Sequence, residues 1–139
     1  LSRILEGEVR SGLGEGAKYV KMPMYNLLLT ELLDEVPYPG TLNLHIGEVF
    51  EKFSEECPPS HIKSVIIDGE EKGGFYYWFG DLLTEGGPIP VLVVRPFLSR
   101  HPPEVIEVIA GKNLREALNL RDGEKVRIKI FCSDTQTQR

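Results

Sequence analysis

Two cysteines, two methionines, three histidines and one tryptophan are all that this 139-residue chain holds of those types. Cys57 and Cys132 lie far apart and match no CxxC or zinc-type spacing, so two free thiols in a reducing cytoplasm are expected. His45, His61 and His101 lack ligand-like spacing and are expected on the surface or in loops. No apolar run reaches eighteen residues, so no segment reads as a membrane-spanning helix. The opening Leu1-Ser2-Arg3 leads into a charged, alternating stretch and not into the apolar centre of a secretory leader. The first residue is not Met, which points to a trimmed chain or a piece of something longer. Basic excess is missing too. The formal net charge is -5 with both signs interspersed, which argues against a broad nucleic-acid surface.

What remains is a balanced composition, 41% hydrophobic and 27% charged, of a size for one compact domain. Ile4 to Arg10 reads as a strand that ends at the glycine-rich Gly12-Leu13-Gly14-Glu15-Gly16, a loop because alternate glycines suit neither helix nor strand. Ala17 to Met22 reads as extended. Tyr25, Leu28, Leu29, Leu32, Leu33 and Val36 then recur at helical spacing, with Pro37 and Pro39-Gly40 as the stop. Thr41 to Ile46 alternates as a strand, and Glu48 to Glu56 is polar and ambiguous. Val65 to Ile67, Phe75 to Leu83, Ile89 to Val94 and Glu104 to Ile109 read as strands, Leu114 to Leu118 as a short helix. Val126, Ile128 and Ile130 alternate against Lys125, Arg127 and Lys129 in the cleanest strand of all. Many short strands, one long helix and one short one predict a mainly β fold, a closed or nearly closed barrel over residues 1–132. Residues 133–139 read as a flexible polar tail. The aromatic run Tyr76-Tyr77-Trp78-Phe79 is expected in the core, and Tyr25 and Tyr38 as packing residues.

Three constellations can carry chemistry. In Gly12 to Lys18, several backbone N–H groups can turn on one anion, with Lys18 adding charge. The segment is neither a Walker A loop nor a dinucleotide fingerprint, and alone it does not separate a phosphate cradle from an empty glycine hairpin. Thr41 and Asn43 project from one side of a strand, about 6–7 Å apart at Cα. A hydroxyl and an amide oxygen there could both reach Mg²⁺, although spacing alone favours two ordinary outward polar residues. Glu107 alternates onto an apolar face with Val105 and Ile109, a costly place for a carboxylate without a partner or a task, although a Glu exposed at the rim is the plainer reading of the spacing. Lys112 and Arg115 crowd the start of the short helix and could receive phosphate, or simply be solvated cations.

The order of these elements closely resembles the archaeal CTP-dependent riboflavin kinases. The resemblance rests on the glycine loop, Pro37-Tyr38-Pro39-Gly40-Thr41-Leu42-Asn43-Leu44, Val93-Val94-Arg95-Pro96, Glu104 to Ala110, Leu114-Arg115-Glu116 and Leu120-Arg121-Asp122-Gly123. It implies a six-stranded cradle-loop barrel related to swapped-hairpin transcription factors. It also implies a cytoplasmic phosphotransferase that moves the γ-phosphate of CTP to riboflavin, giving FMN and CDP, with Mg²⁺ as the metal. By position, Gly12, Leu13, Gly14, Glu15, Gly16, Ala17 and Lys18 would line the nucleotide site, with Lys112, Asn113, Leu114 and Arg115 closing over it. Thr41 and Asn43 would hold Mg²⁺. Ser99 and Glu107 would contact the flavin, and Glu107 is the candidate catalytic base. Ser99 stands where the family has threonine, and His101-Pro102-Pro103 follows where it has small polar residues. A monomer without nucleic-acid or membrane partners is expected. The rivals are a DNA-binding regulator of the related barrel type and a flavin-binding module without catalysis.

Overall fold

A computed structural model describes residues 1–133, with the side chain of Val65 left aside. Seven strands are linked in the order β3 (Ser60–Ile67), β4 (Glu70–Thr84), β5 (Gly87–Pro96), β6 (Val105–Ile109), β2 (Leu42–His45), β1 (Ser2–Arg10) and β7 (Lys125–Phe131). A further β4–β7 pairing, from Phe79 opposite Phe131 to Leu83 opposite Arg127, closes six of them into an antiparallel barrel. The expected six-stranded ring is present, and β3 lies outside it. The fifteen residues of β4 make this possible: Glu70 to Tyr77 pair with β3, and Phe79 to Leu83 pair with β7.

Strand alternation sorts the side chains into two cores. Leu42, Leu44, Ile106, Val108, Ile128 and Ile130 face the barrel interior. α3 (Phe50–Glu56) extends that interior by laying Phe50 and Phe53 on Trp78, whose indole N–H donates to the carbonyl of Cys57 at 2.9 Å. α1 (Gly16–Lys21) and α2 (Pro23–Leu33) lie outside, where Val20, Tyr25 and Leu29 pack on Phe75, Leu92, Val94 and Ile109. α4 (Leu114–Ala117) is a single turn whose N-cap Asn113 accepts from the N–H of Glu116.

Several expectations need correcting. Ala17 to Met22 is not extended: α1 begins at Gly16, inside the glycine-rich stretch, and runs to Lys21. α2 stops at Leu33 because Asp34 turns left-handed (φ 59°), leaving Val36 exposed. Of the aromatic run only Trp78 is buried. Tyr76 and Tyr77 are half-buried, and Phe79 faces outward with 48% exposure. Tyr25 packs as expected, but Tyr38 is exposed. The two thiols are not free. Cys57 and Cys132 form a disulfide, because the end of β7 returns to the end of α3. The tail expected over 133–139 lies outside the described residues except for Ser133, whose N–H donates to Pro58 O at 2.7 Å.

Candidate functional site

The site forms where the outward face of β2 and β6 meets the glycine loop. Asn43 pairs in register with Glu107, so the two share one face of the sheet, and Thr41 projects from the same side one pleat away. Gly12 and Gly16 then press onto this pair. A Cβ at Gly12 would overlap Asn43 Nδ2, and a Cβ at Gly16 would stand 2.5 Å from Thr41 Oγ1. Between them Gly14 takes φ 76°, a conformation that glycine adopts without strain. The loop's glycines are therefore required by contact as well as by turn geometry.

This junction opens into a cleft of about 270 Å³. Gly12, Leu13, Gly14, Gly16 and Ala17 form one wall, Gly40, Thr41 and Asn43 the floor, and Arg115 and His101 the ends. Next to it, a polar cavity of about 160 Å³ is bounded by Tyr38, Thr41, Lys112, Asn113, Leu114 and Arg115. Thr41 and Arg115 border both, so the two spaces adjoin. Asn113 Nδ2 donates to Tyr38 Oη at 3.1 Å across the second. A third, apolar cavity of about 90 Å³ lies beneath α1 and α2, with Tyr19, Tyr25, Phe75, Val94 and Pro96 in its walls.

Glu107 connects these spaces. It is buried, 4% exposed, and its Oε1 accepts from Thr41 Oγ1 at 3.1 Å and from Tyr19 Oη at 3.2 Å. Thr41 belongs to the polar cleft and Tyr19 to the apolar cavity, so one carboxylate stands at their boundary. Oε2 has no protein donor among the described residues. Burial raises the Glu107 pKa above the ordinary carboxylate value, against the lowering effect of the Thr41 and Tyr19 hydrogen bonds and the Arg95 charge. Burial, followed by the Glu107 charge, raises Tyr19 well above the usual phenol value, so it stays a donor.

The donor set suits a hard cation. Asn43 Oδ1 is buried without a hydrogen-bond partner, an arrangement with a desolvation cost unless something else meets the oxygen. Thr41 donates its proton to Glu107 and so keeps oxygen lone pairs available. Both ligands are neutral, and no cluster of three or more His, Cys, Asp or Glu side chains that could hold a metal occurs among the described residues. A cation here would need oxygens from a bound anion, as Mg²⁺ commonly takes from phosphates.

Other sequence candidates fall at the margins. Glu15 reaches across to Arg100, with Oε1 2.6 Å from Nη1, and ties the glycine loop to the β5–β6 loop. Lys18 is exposed on α1 and does not line the cleft. Ser99 lies in the β5–β6 loop, its Oγ accepting from the His101 N–H at 3.2 Å, and it lines none of the three cavities. With α4 only one turn long, the helix dipole contributes little beside the charges of Lys112 and Arg115.

Three further residues shape the site without a local signal in the sequence. Tyr19 was hidden because its segment reads as extended. Arg95 holds the β5–β6 loop through donations to the carbonyls of His101, Pro102 and Val105, contacts with no local signature. His101 was expected on the surface or in a loop; it lies in that loop and also ends the cleft. Its pKa is lowered by burial and then by Arg95.

A family model, CTP-dep_RFKase, described as "Domain of unknown function DUF120", matches residues 9–130. Among curated proteins, one named riboflavin kinase from Thermococcus kodakarensis is 43% identical over 92% of this chain and 59% of its own length. Another of that name from Pyrococcus furiosus is 42% identical over 92% of this chain and 58% of its own length. A shorter riboflavin kinase from Staphylothermus marinus is 37% identical, covering 91% of both chains. The chain thus spans about three fifths of the length of the first two relatives.

Proposed function

The chain belongs to the CTP-dep_RFKase family, and on that premise we propose that it is a riboflavin kinase that transfers the γ-phosphate of CTP to the ribityl 5'-hydroxyl. The observation that carries this reading is Glu107, bonded on one side to the wall of a polar cleft and on the other to the wall of an apolar cavity. A kinase for this acceptor needs an apolar place for a flat ring, a polar place for a triphosphate, and a carboxylate between them.

In this reading the backbone N–H groups of Gly12 to Ala17 and the Arg115 guanidinium bind the phosphates, and the polar cavity at Tyr38 and Lys112 to Leu114 takes the nucleoside. The apolar cavity beneath α1 and α2, at about 90 Å³ smaller than the tricycle, takes one edge of the isoalloxazine ring against Tyr19 and Tyr25. Glu107 orients the ribityl hydroxyl and accepts its proton as the oxygen attacks the γ-phosphorus and CDP leaves. Thr41 and Asn43 would hold Mg²⁺, which when bound spreads and offsets phosphate charge. Ser99 is assigned to the flavin side on family resemblance alone. Partners are limited to riboflavin, FMN, CTP and CDP, for a cytoplasmic monomer that does not use nucleic acid.

The test is incubation of the chain with riboflavin, Mg²⁺ and each nucleoside triphosphate in turn, with FMN scored by chromatography. FMN forming fastest with CTP is expected. Riboflavin left unchanged with every nucleotide would remove the assignment.

A further inference from the structure

One residue beside the cleft has no part in the reaction described above, yet it holds two parts of the machinery together. Asp122 sits in the turn between α4 and β7. Its Oδ2 accepts from Ser11 Oγ at the root of the glycine loop, and its Oδ1 lies 2.5 Å from Arg115 Nη2 on α4. The same Nη2 donates to the carbonyl of Arg10 at 3.0 Å. The turn is itself tied to β1: Gly123 N–H donates to Val9 O and Val9 N–H to Glu124 O, both at 2.8 Å. Thus one carboxylate joins the end of β1, the start of the glycine loop and α4.

We propose that Asp122 is a positioning residue that sets the direction of the Arg115 guanidinium for nucleotide binding. The inference rests on the reading of Arg115 as a nucleotide-site side chain. An arginine on a one-turn helix is a long, mobile group unless something fixes it. Here Nη2 is taken by two acceptors, while Nε and Nη1 have no protein acceptor among the described residues and remain for a ligand. The side chains of Arg115 and Asp122 are 36% and 51% exposed, too open for the pair to add much to folding stability. Its effect therefore belongs to orientation. The Ser11 and then the Arg115 hydrogen bonds lower the Asp122 pKa, which keeps it ionised at neutral pH.

The experiment compares Asp122→Asn, Arg115→Ala and the double variant in the 139-residue chain. The readouts are CDP binding by calorimetry, KM for CTP and for riboflavin, and thermal melting. Asp122→Asn should weaken CDP binding and raise KM for CTP about tenfold, the effect of one charge-assisted hydrogen bond. Its KM for riboflavin should stay put, and its melting temperature should fall within about 3 °C of the parent. The double variant should bind CDP no worse than Arg115→Ala, because Asp122 acts through the arginine. Normal CDP binding by Asp122→Asn beside weak binding by Arg115→Ala would overturn the positioning role alone. Normal binding by Arg115→Ala would overturn it too, by removing the reading of Arg115 beneath it. Additive losses in the double variant would also sink it.

Discussion

Gly12 rests directly on the Asn43 amide, and the missing Cβ is what allows the contact. Asn43 is only 6% exposed, so its side chain has no room to swing away from an added methyl group. The loop and strand β2 are thus matched surfaces, and small changes on one should displace the other.

Gly12→Ala should lower kcat/KM by at least tenfold, roughly the 1–3 kcal/mol that overpacking costs, here spent on moving Asn43. Gly14→Ala is the informative companion. Its φ of 76° strains an L-residue, yet nothing lies within 4 Å of the added Cβ. It should cost about 1 kcal/mol of stability and much less activity. Steady-state kinetics with melting curves on both variants would distinguish contact from conformation; equal activity losses would count against the contact argument.

Replacing Thr41 and Asn43 together with alanine should depress Mg²⁺-dependent turnover by about 100-fold or more, as several kcal/mol of charge stabilisation is lost. Asn43→Ala alone should change the unfolding free energy by less than about 1 kcal/mol, because it also removes a buried oxygen that has no partner. Urea titration and an Mg²⁺-dependence curve measure the two effects. Undiminished turnover in the double variant would end the metal assignment.

Glu107 gives a prediction in which pH sets the sign. Its folded pKa lies above the unfolded reference of 4.5, so the folded state binds the proton more tightly than the unfolded state does. That contribution is complete below about pH 4.5 and disappears as pH rises through the raised folded value. Glu107→Gln keeps an acceptor for Tyr19 and Thr41 but cannot ionise. The variant's melting temperature should therefore gain on the parent's as pH rises from 4 towards 8, while kcat falls about 100-fold. A constant gap across that range, or intact turnover with riboflavin still bound, would contradict the assignment.

The disulfide should matter for stability and little for chemistry. Cys57 and Cys132 are 75 residues apart, and closing a loop of that length removes roughly 4 kcal/mol of unfolded-chain entropy. Replacing both with alanine, or melting the protein in reductant, should lower the melting temperature clearly with kcat unchanged. An unaltered melting temperature would show that the bond contributes little.

Much of this architecture was legible because alternation and helical spacing are local signals. The inward Val126, Ile128 and Ile130 side of β7, the apolar stripe of α2 and the odd position of Glu107 could each be read within a few residues. What stayed hidden depended on distant partners. α1 forms among glycines because Gly16 docks on Thr41, twenty-five positions later in the chain. The polar start of β3 is a strand because β4 pairs with it. Phe79 faces outward because alternation across Trp78 outranks the hydrophobicity of the run. The disulfide needed the return of β7 to α3, which no spacing rule encodes.

Along β2, neighbouring residues serve different ends. Leu42 and Leu44 secure the barrel, whereas Thr41, just before the strand, and Asn43 border the cleft. Deleting a single residue at the Gly40 corner would rotate both sets at once, driving an amide into the hydrocarbon interior and turning leucine towards the cleft. A length change at that corner is therefore felt on both faces of the sheet, whereas one in a loop remote from β2 leaves this alternation untouched.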